Sequence, residues 1–189
     1  GATAVQIIPE IAGKVEELIV FQRRPNWCAP LHNSPIDEKT QAKIKESYGN
    51  IFEKCKRTPG GFIHEPDRRK YSEVSSAERL EFWEDLYASP GFGVWIGNFR
   101  DVLVDPVANA EYTRFIERKI RERVLDQNTA EKLIPKDHGF GTRRVPLETN
   151  YYEAYNQNNV FLIDINEDPI EKITMKGIRT GSRDFDLDI

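Results

Sequence analysis

Apolar residues recur at helical spacing near the start of the chain. Val5, Ile8 and Ile11 predict a helix over residues 4–12, and Gly13 supplies a stop. Pro9 falls inside that pattern and removes one backbone N–H, so the helix is expected to kink or end soon after it. Glu17-Leu18-Ile19-Val20-Phe21-Gln22 then reads as a strand with an apolar core. Helix, short turn and strand make the second half of a βαβ unit. Pro25, Pro30 and Pro35 break regular structure and predict an ordered loop over 25–36.

Three longer helical patterns follow. The first covers 37–56, with Ile44, Tyr48, Ile51, Phe52 and Cys55 on one face. The second covers 76–88, with Leu80, Trp83 and Tyr87 aligned. The third covers 107–126, with Tyr112, Phe115, Ile116, Ile120 and Val124 aligned. Clustered Pro and Gly at 58–61 and 89–93 mark loops between them. Beyond Pro135, residues 136–144 read as a Gly-bearing basic loop, and 147–157 suit a short helix carrying Tyr151, Tyr152 and Tyr155. Residues 160–165 are apolar without alternation, the mark of a parallel strand covered on both faces. Residues 170–180 predict a hairpin around Met175-Lys176-Gly177, and 185–189 begin another strand.

Composition narrows the class. At 189 residues, with 31% charged and 39% hydrophobic positions, the balance is that of a globular protein. A net charge of −4 gives no electrostatic footprint for nucleic acid. No apolar run approaches the roughly 20 residues of a membrane span, and no signal peptide opens the chain. Cys28 and Cys55 make no disulfide framework and have no metal-ligand spacing around them, so a reducing, cytoplasmic setting is expected. Cys55 reads as core, and Cys28 stays undecided. His32, His64 and His138 lie far apart and read as loop residues. The run Arg118-Lys119-Ile120-Arg121 is interleaved with Glu117 and Glu122, which a solvated helix face explains.

Candidate chemistry sits at the start of the chain. Gly1-Ala2-Thr3-Ala4 looks like the back half of a dinucleotide-binding glycine turn, with the first helix's N–H groups offered to an anion. Close packing at a helix start explains the small residues equally well. An NAD-binding domain places an acid about 20 residues further on, for the ribose 2′-hydroxyl. Here Arg23 and Arg24 occupy that place. A guanidinium donates two parallel charged hydrogen bonds and suits a 2′-phosphate, which points to NADP(H). The economical architecture is α/β: a partial Rossmann-like NADP-binding domain interrupted by a mainly helical insertion. Its parts are expected at 1–33, 34–134 (the insertion) and 135–189.

Six segments in order carry a resemblance. They are Gly1-Ala2-Thr3-Ala4-Val5-Gln6, Val20-Phe21-Gln22-Arg23-Arg24-Pro25, Pro135-Lys136-Asp137, Gly141-Thr142-Arg143-Arg144, Thr149-Asn150-Tyr151-Tyr152-Glu153 and Asn159-Val160. Together they resemble the NADPH-binding region of flavin-dependent Baeyer–Villiger monooxygenases of the cyclohexanone and phenylacetone type. The resemblance implies an enzyme that uses FAD, NADPH and O2 to turn ketones into esters or lactones. It implies that Gly1, Ala2, Thr3, Ala4 and Gln6 lie along the pyrophosphate, and that Arg23, Arg24 and Arg143 surround the 2′-phosphate. Arg144 matches the family's catalytic arginine, which stabilises negative charge during oxygen transfer. The family usually has Lys at the place of Arg143 and often Thr at that of Arg24, and both changes keep donors for phosphate. It also implies a partner FAD-binding domain in the same polypeptide, holding most of the FAD contacts. The family's FAD glycine motif and long signature are expected upstream of Gly1, and its return segment after Ile189. The chain alone is then expected to be inactive. Two other readings stay open: the NADPH half of a nitrogen- or sulfur-oxidising flavin monooxygenase, and a non-catalytic NADP(H)-binding module.

Overall fold

Two apolar runs from opposite ends of the chain meet as a parallel pair. The computed structural model describes residues 1–58 and 60–188. In it, β1 (Leu18–Gln22) pairs with β4 (Val160–Asp164), Leu18 opposite Val160 and Gln22 opposite Asp164. By packing, the chain divides into two units. The first comprises Gly1–Trp27, Glu117–Asp137 and Asn150–Ile189; the second comprises Cys28–Ile116 and His138–Thr149.

In the first unit, α1 (Ala2–Ala12) precedes β1 and buries Val5, Ile8 and Ala12. Ile11 is half-buried, Pro9 is held inside the helix, and Gly13 ends it. Asn159 Nδ2 donates to the Ala12 and Val15 carbonyls at 2.8 and 3.0 Å, tying the start of β4 to the end of α1. That bond satisfies carbonyls that a helix end leaves without partners. A four-residue helix, α8 (Tyr151–Ala154), packs on α1 and buries Tyr151 and Tyr152. Only Val160 of β4 is buried, while Phe161 is 41% exposed. The expected covering of both strand faces is therefore not met among the described residues. A non-alternating apolar run predicts burial but cannot name what supplies it, and here the sheet is two strands wide. The hairpin forms as expected from β5 (Ile170–Thr174) and β6 (Gly177–Thr180), and β7 (Asp184–Asp186) adds a third antiparallel strand. The position Ile189, in the strand expected over 185–189, lies outside the described residues.

The second unit is mainly helical. The helix expected over 37–56 is two helices, α2 (Glu38–Glu46) and α3 (Tyr48–Arg57). Ser47 ends one and begins the other, and its hydroxyl donates to the Lys43 carbonyl at 3.0 Å. Such back-bonding competes with the helical ladder. Neither helix buries a residue; Phe52 is 56% exposed, and Cys55 is half-buried rather than core. Cys28, by contrast, is buried. Of the position 58–61 loop, Pro59 lies outside the described residues. A 3₁₀ turn at Tyr71–Glu73 leads to α4 (Ser76–Ala88), which opens on a Ser75–Glu78 capping box. Trp83 is buried and Tyr87 half-buried, but Leu80 is exposed, so the apolar face is narrower than its spacing implies.

The core of this unit is aromatic. Tyr112 and Phe115 come from α6 (Pro106–Arg123), and Trp83 packs on both, with ring centroids 5.1 and 5.7 Å away. The Tyr112 hydroxyl donates to the Val94 carbonyl at 2.6 Å, fixing α5 (Gly93–Ile96). All five residues expected on the α6 face are buried: Tyr112, Phe115 and Ile116 here, Ile120 and Val124 in the first unit. Two short segments, β2 (Ala29–Pro30) and β3 (Leu147–Glu148), pair in parallel.

Candidate functional site

Beyond the C-terminal ends of the parallel strands β1 and β4 lies a cavity of about 870 Å³. That end is where open parallel sheets take their ligands. Arg23, Arg24 and Pro25 line it as they leave β1, and Asp164 and Asn166 as they leave β4. Asn166 Nδ2 donates to both the Arg23 carbonyl and the Asp164 carboxylate at 2.7 Å, joining the two strand exits. Gln22 is buried, and its Nε2 donates to the Lys132 carbonyl at 2.7 Å. This bond seats α7 (Gln127–Leu133) against the end of β1.

The charges on this wall divide into committed and uncommitted ones. Lys132 pairs with Glu167 at 2.5 Å. Lys136 pairs with Glu131 at 2.6 Å, and Arg121 pairs with the same carboxyl at 2.5 Å. Hydrogen bonds from Arg121 and Lys136 hold the Glu131 carboxyl down at about 2. Arg23 and Arg24 are exposed, and among the described residues neither guanidinium has an ion-pair partner. Two free positive charges beside a cavity suit an anion of high charge density, such as a phosphate monoester.

Gly1 caps α1 without a side-chain bond, and no acid stands in the first turn. Gly1, Ala2, Thr3, Ala4 and Gln6 are exposed. The helix start therefore offers N–H groups and the positive end of its dipole without a competing carboxylate.

The second unit holds a different cavity, of about 710 Å³, whose largely apolar wall includes the aromatic residues Phe62, Phe92, Trp95 and Phe99. Arg143 and Arg144 line it too. Their loop is anchored from three sides. Asn109 Nδ2 donates to the Phe140 carbonyl at 3.0 Å, Thr113 Oγ1 accepts the Phe140 N–H at 2.9 Å, and Trp95 Nε1 donates to the Gly141 carbonyl at 3.1 Å. Gly141 has a φ of +81°, a conformation suited to glycine. Arg23 and Arg24 thus share one wall, whereas Arg143 stands with Arg144 on another.

Sequence reasoning quoted Lys136 but missed Lys132 of the first wall and the aromatic residues of the second. Lys132 reads as an ordinary exposed helix residue. Phe62 and Phe92 sit in Gly-Gly-Phe and Gly-Phe-Gly segments, and a large ring between glycines in a loop was the available signal.

No protein-family model matches the chain. The chain is 50% identical to the 2-oxo-Delta(3)-4,5,5-trimethylcyclopentenylacetyl-CoA monooxygenase of Pseudomonas putida, over 100% of its own length and 35% of that protein's. It is 37% identical to a Baeyer-Villiger monooxygenase of Pseudooceanicola batsensis, again over 100% of this chain and 35% of that protein. A crystal structure of OTEMO in complex with FAD and NADP superposes with a TM-score of 0.97 at 50% identity, covering 100% of this chain and 35% of that one. The chain spans about a third of the length of these relatives. From end to end, it is a relative of one contiguous portion of the Baeyer–Villiger monooxygenases.

Proposed function

We propose that the chain is the NADPH-binding portion of an FAD-dependent Baeyer–Villiger monooxygenase, which inserts one oxygen atom from O2 into a ketone to give an ester or lactone. The observation that carries this is the free Arg23–Arg24 pair on a cavity beyond the ends of two parallel strands. We read the first unit as a partial Rossmann-like domain. The start of α1, from Gly1 to Ala4 with Gln6 behind, faces the pyrophosphate, while Arg23 and Arg24 hold the 2′-phosphate. Arg143, which lines the other cavity, is given a phosphate contact by the resemblance alone.

When bound, FAD with NADPH and O2 supplies the oxygen that is transferred. This chain's part is placement and electrostatics. The aromatic cavity excludes water and accepts an apolar ketone. Arg144, held on an anchored loop, offers a fixed positive charge where negative charge develops. FAD itself is held mainly by the remainder of the polypeptide. No helix among the described residues is long and apolar enough to cross a membrane. We assign the protein to the cytoplasm on its two free cysteines.

The experiment is a calorimetric titration with NADP+ and, separately, NAD+. Clear preference for NADP+ supports the reading, and equal affinity removes it. Product analysis of the full-length protein with ketone, amine and sulfide substrates separates ester formation from nitrogen or sulfur oxidation.

A further inference from the structure

His64 shares the wall of the aromatic cavity, and its ring rests on the Gly91-Phe92-Gly93 turn. A Cβ at Gly91 would come within 3.0 Å of His64 Nε2, and Gly91 has a φ of +82°. At Gly91 the turn is therefore shaped around the ring. The Phe92 N–H donates to His64 Nε2 at 3.2 Å. A nitrogen that accepts cannot carry the proton, so the neutral imidazole places its hydrogen on Nδ1. Burial, and then the charge of Lys54, hold the His64 pKa below the usual imidazole value, which keeps the ring neutral at neutral pH. Among the described residues no acceptor meets Nδ1. The ring is half-buried in a wall that combines apolar residues with Asn98, Arg100, Arg143 and Arg144, and His64 is its neutral imidazole donor. A fixed, uncharged donor beside apolar residues orients one polar atom of a ligand without adding charge to the pocket.

We propose that His64 is a specificity-determining residue of this cavity, its Nδ1–H donating to the carbonyl oxygen of a bound ketone. The proposal rests on the ketone reading above and adds a positioning residue to it. His64 transfers no proton and takes no part in bond making. It fixes which way the carbonyl points, and it favours ligands with an acceptor over hydrocarbons of the same shape.

The test uses the full-length, FAD-loaded protein carrying isotope-labelled histidine. The resonance lost in His64→Asn identifies His64. Cyclopentanone is then compared with methylenecyclopentane, which has nearly the same shape but no strong acceptor. We expect a neutral Nδ1–H tautomer whose signal moves with cyclopentanone and stays put with methylenecyclopentane. We also expect His64→Phe to weaken cyclopentanone binding about three- to tenfold, the ratio for one hydrogen bond. His64→Asn, which keeps a donor near the same place, should restore most of it. An Nε2–H tautomer, equal responses to the two ligands, no cyclopentanone binding, or equal affinities in all three proteins would each overturn the proposal. Ester formation is scored separately: binding at His64 without ester would sink the oxygenation reading and leave this one standing.

Discussion

Trp95 donates its indole N–H to the Gly141 carbonyl at 3.1 Å, so a ring of the aromatic wall and the turn ahead of Arg143 and Arg144 are held as one piece. Gly141 allows this closeness: a Cβ there would stand 2.7 Å from Leu103 Cδ2 and 3.1 Å from the Trp95 ring. Gly141→Ala combines that clash with an unfavourable φ. It is expected to destabilise by about 1–3 kcal/mol and lower the denaturation midpoint. Trp95→Phe removes only the hydrogen bond and should cost about 1 kcal/mol. A Gly141→Ala protein as stable as the parent would show that the turn adapts.

Arg23 and Arg24 meet the same cavity with their charges uncommitted. Arg23→Ala should weaken NADP+ by about ten- to a hundredfold, the scale of one or two charge-assisted hydrogen bonds. NAD+, lacking the 2′-phosphate, should change little. Equal losses in calorimetry would take the phosphate away from Arg23.

In the proposed reading, Arg144 serves charge stabilisation and not nucleotide binding. In the full-length protein, Arg144→Ala is expected to leave NADPH-driven flavin reduction largely intact and to abolish ester formation. Stopped-flow absorbance follows the first and product chromatography the second. Ester formation near the parent rate would remove Arg144 from the chemistry.

Glu131 gives a pH dependence of known sign. Its carboxyl is lowered from 4.5 to about 2 by Arg121 and Lys136. A depressed folded-state pKa contributes stability that is fully present above about 4.5 and is lost as pH falls toward 2. The side chain is 45% exposed, so solvent screening limits the effect to about 1 kcal/mol. Glu131→Gln should therefore be less stable than the parent in urea at neutral pH, with the difference shrinking as pH falls from about 4.5 through about 2. A difference that persists at the acid end would point to lost packing instead of lost charge.

Much of this was written locally. The α6 face was legible because a long amphipathic helix repeats its signal over more than three turns, from Tyr112 to Val124. The parallel setting of β4 followed from an apolar run without alternation. What escaped was set by contacts between distant residues. Ser47 splits a helix whose apolar spacing runs on unbroken through it. Ala29 and Pro30 pair with Leu147 and Glu148 although three prolines mark their neighbourhood as a loop. Composition changes near 33 and 134, whereas packing passes between units at Trp27, Ile116, Asp137 and Thr149. The passage at Ile116 falls within one continuous helix, so nothing in composition marks it. Of the candidate site, the arginines were visible by type and spacing. The aromatic cavity was not, because its wall is gathered from three separated segments.

The bond from Asn159 to the end of α1 joins residues 147 positions apart. A ribosome adding about 5–20 residues per second needs on the order of ten seconds to cover that interval. During that time Leu18-Ile19-Val20-Phe21 has emerged while its neighbouring strand has not been made. The nascent chain must keep this sticky segment out of wrong pairings until Val160–Asp164 has been made.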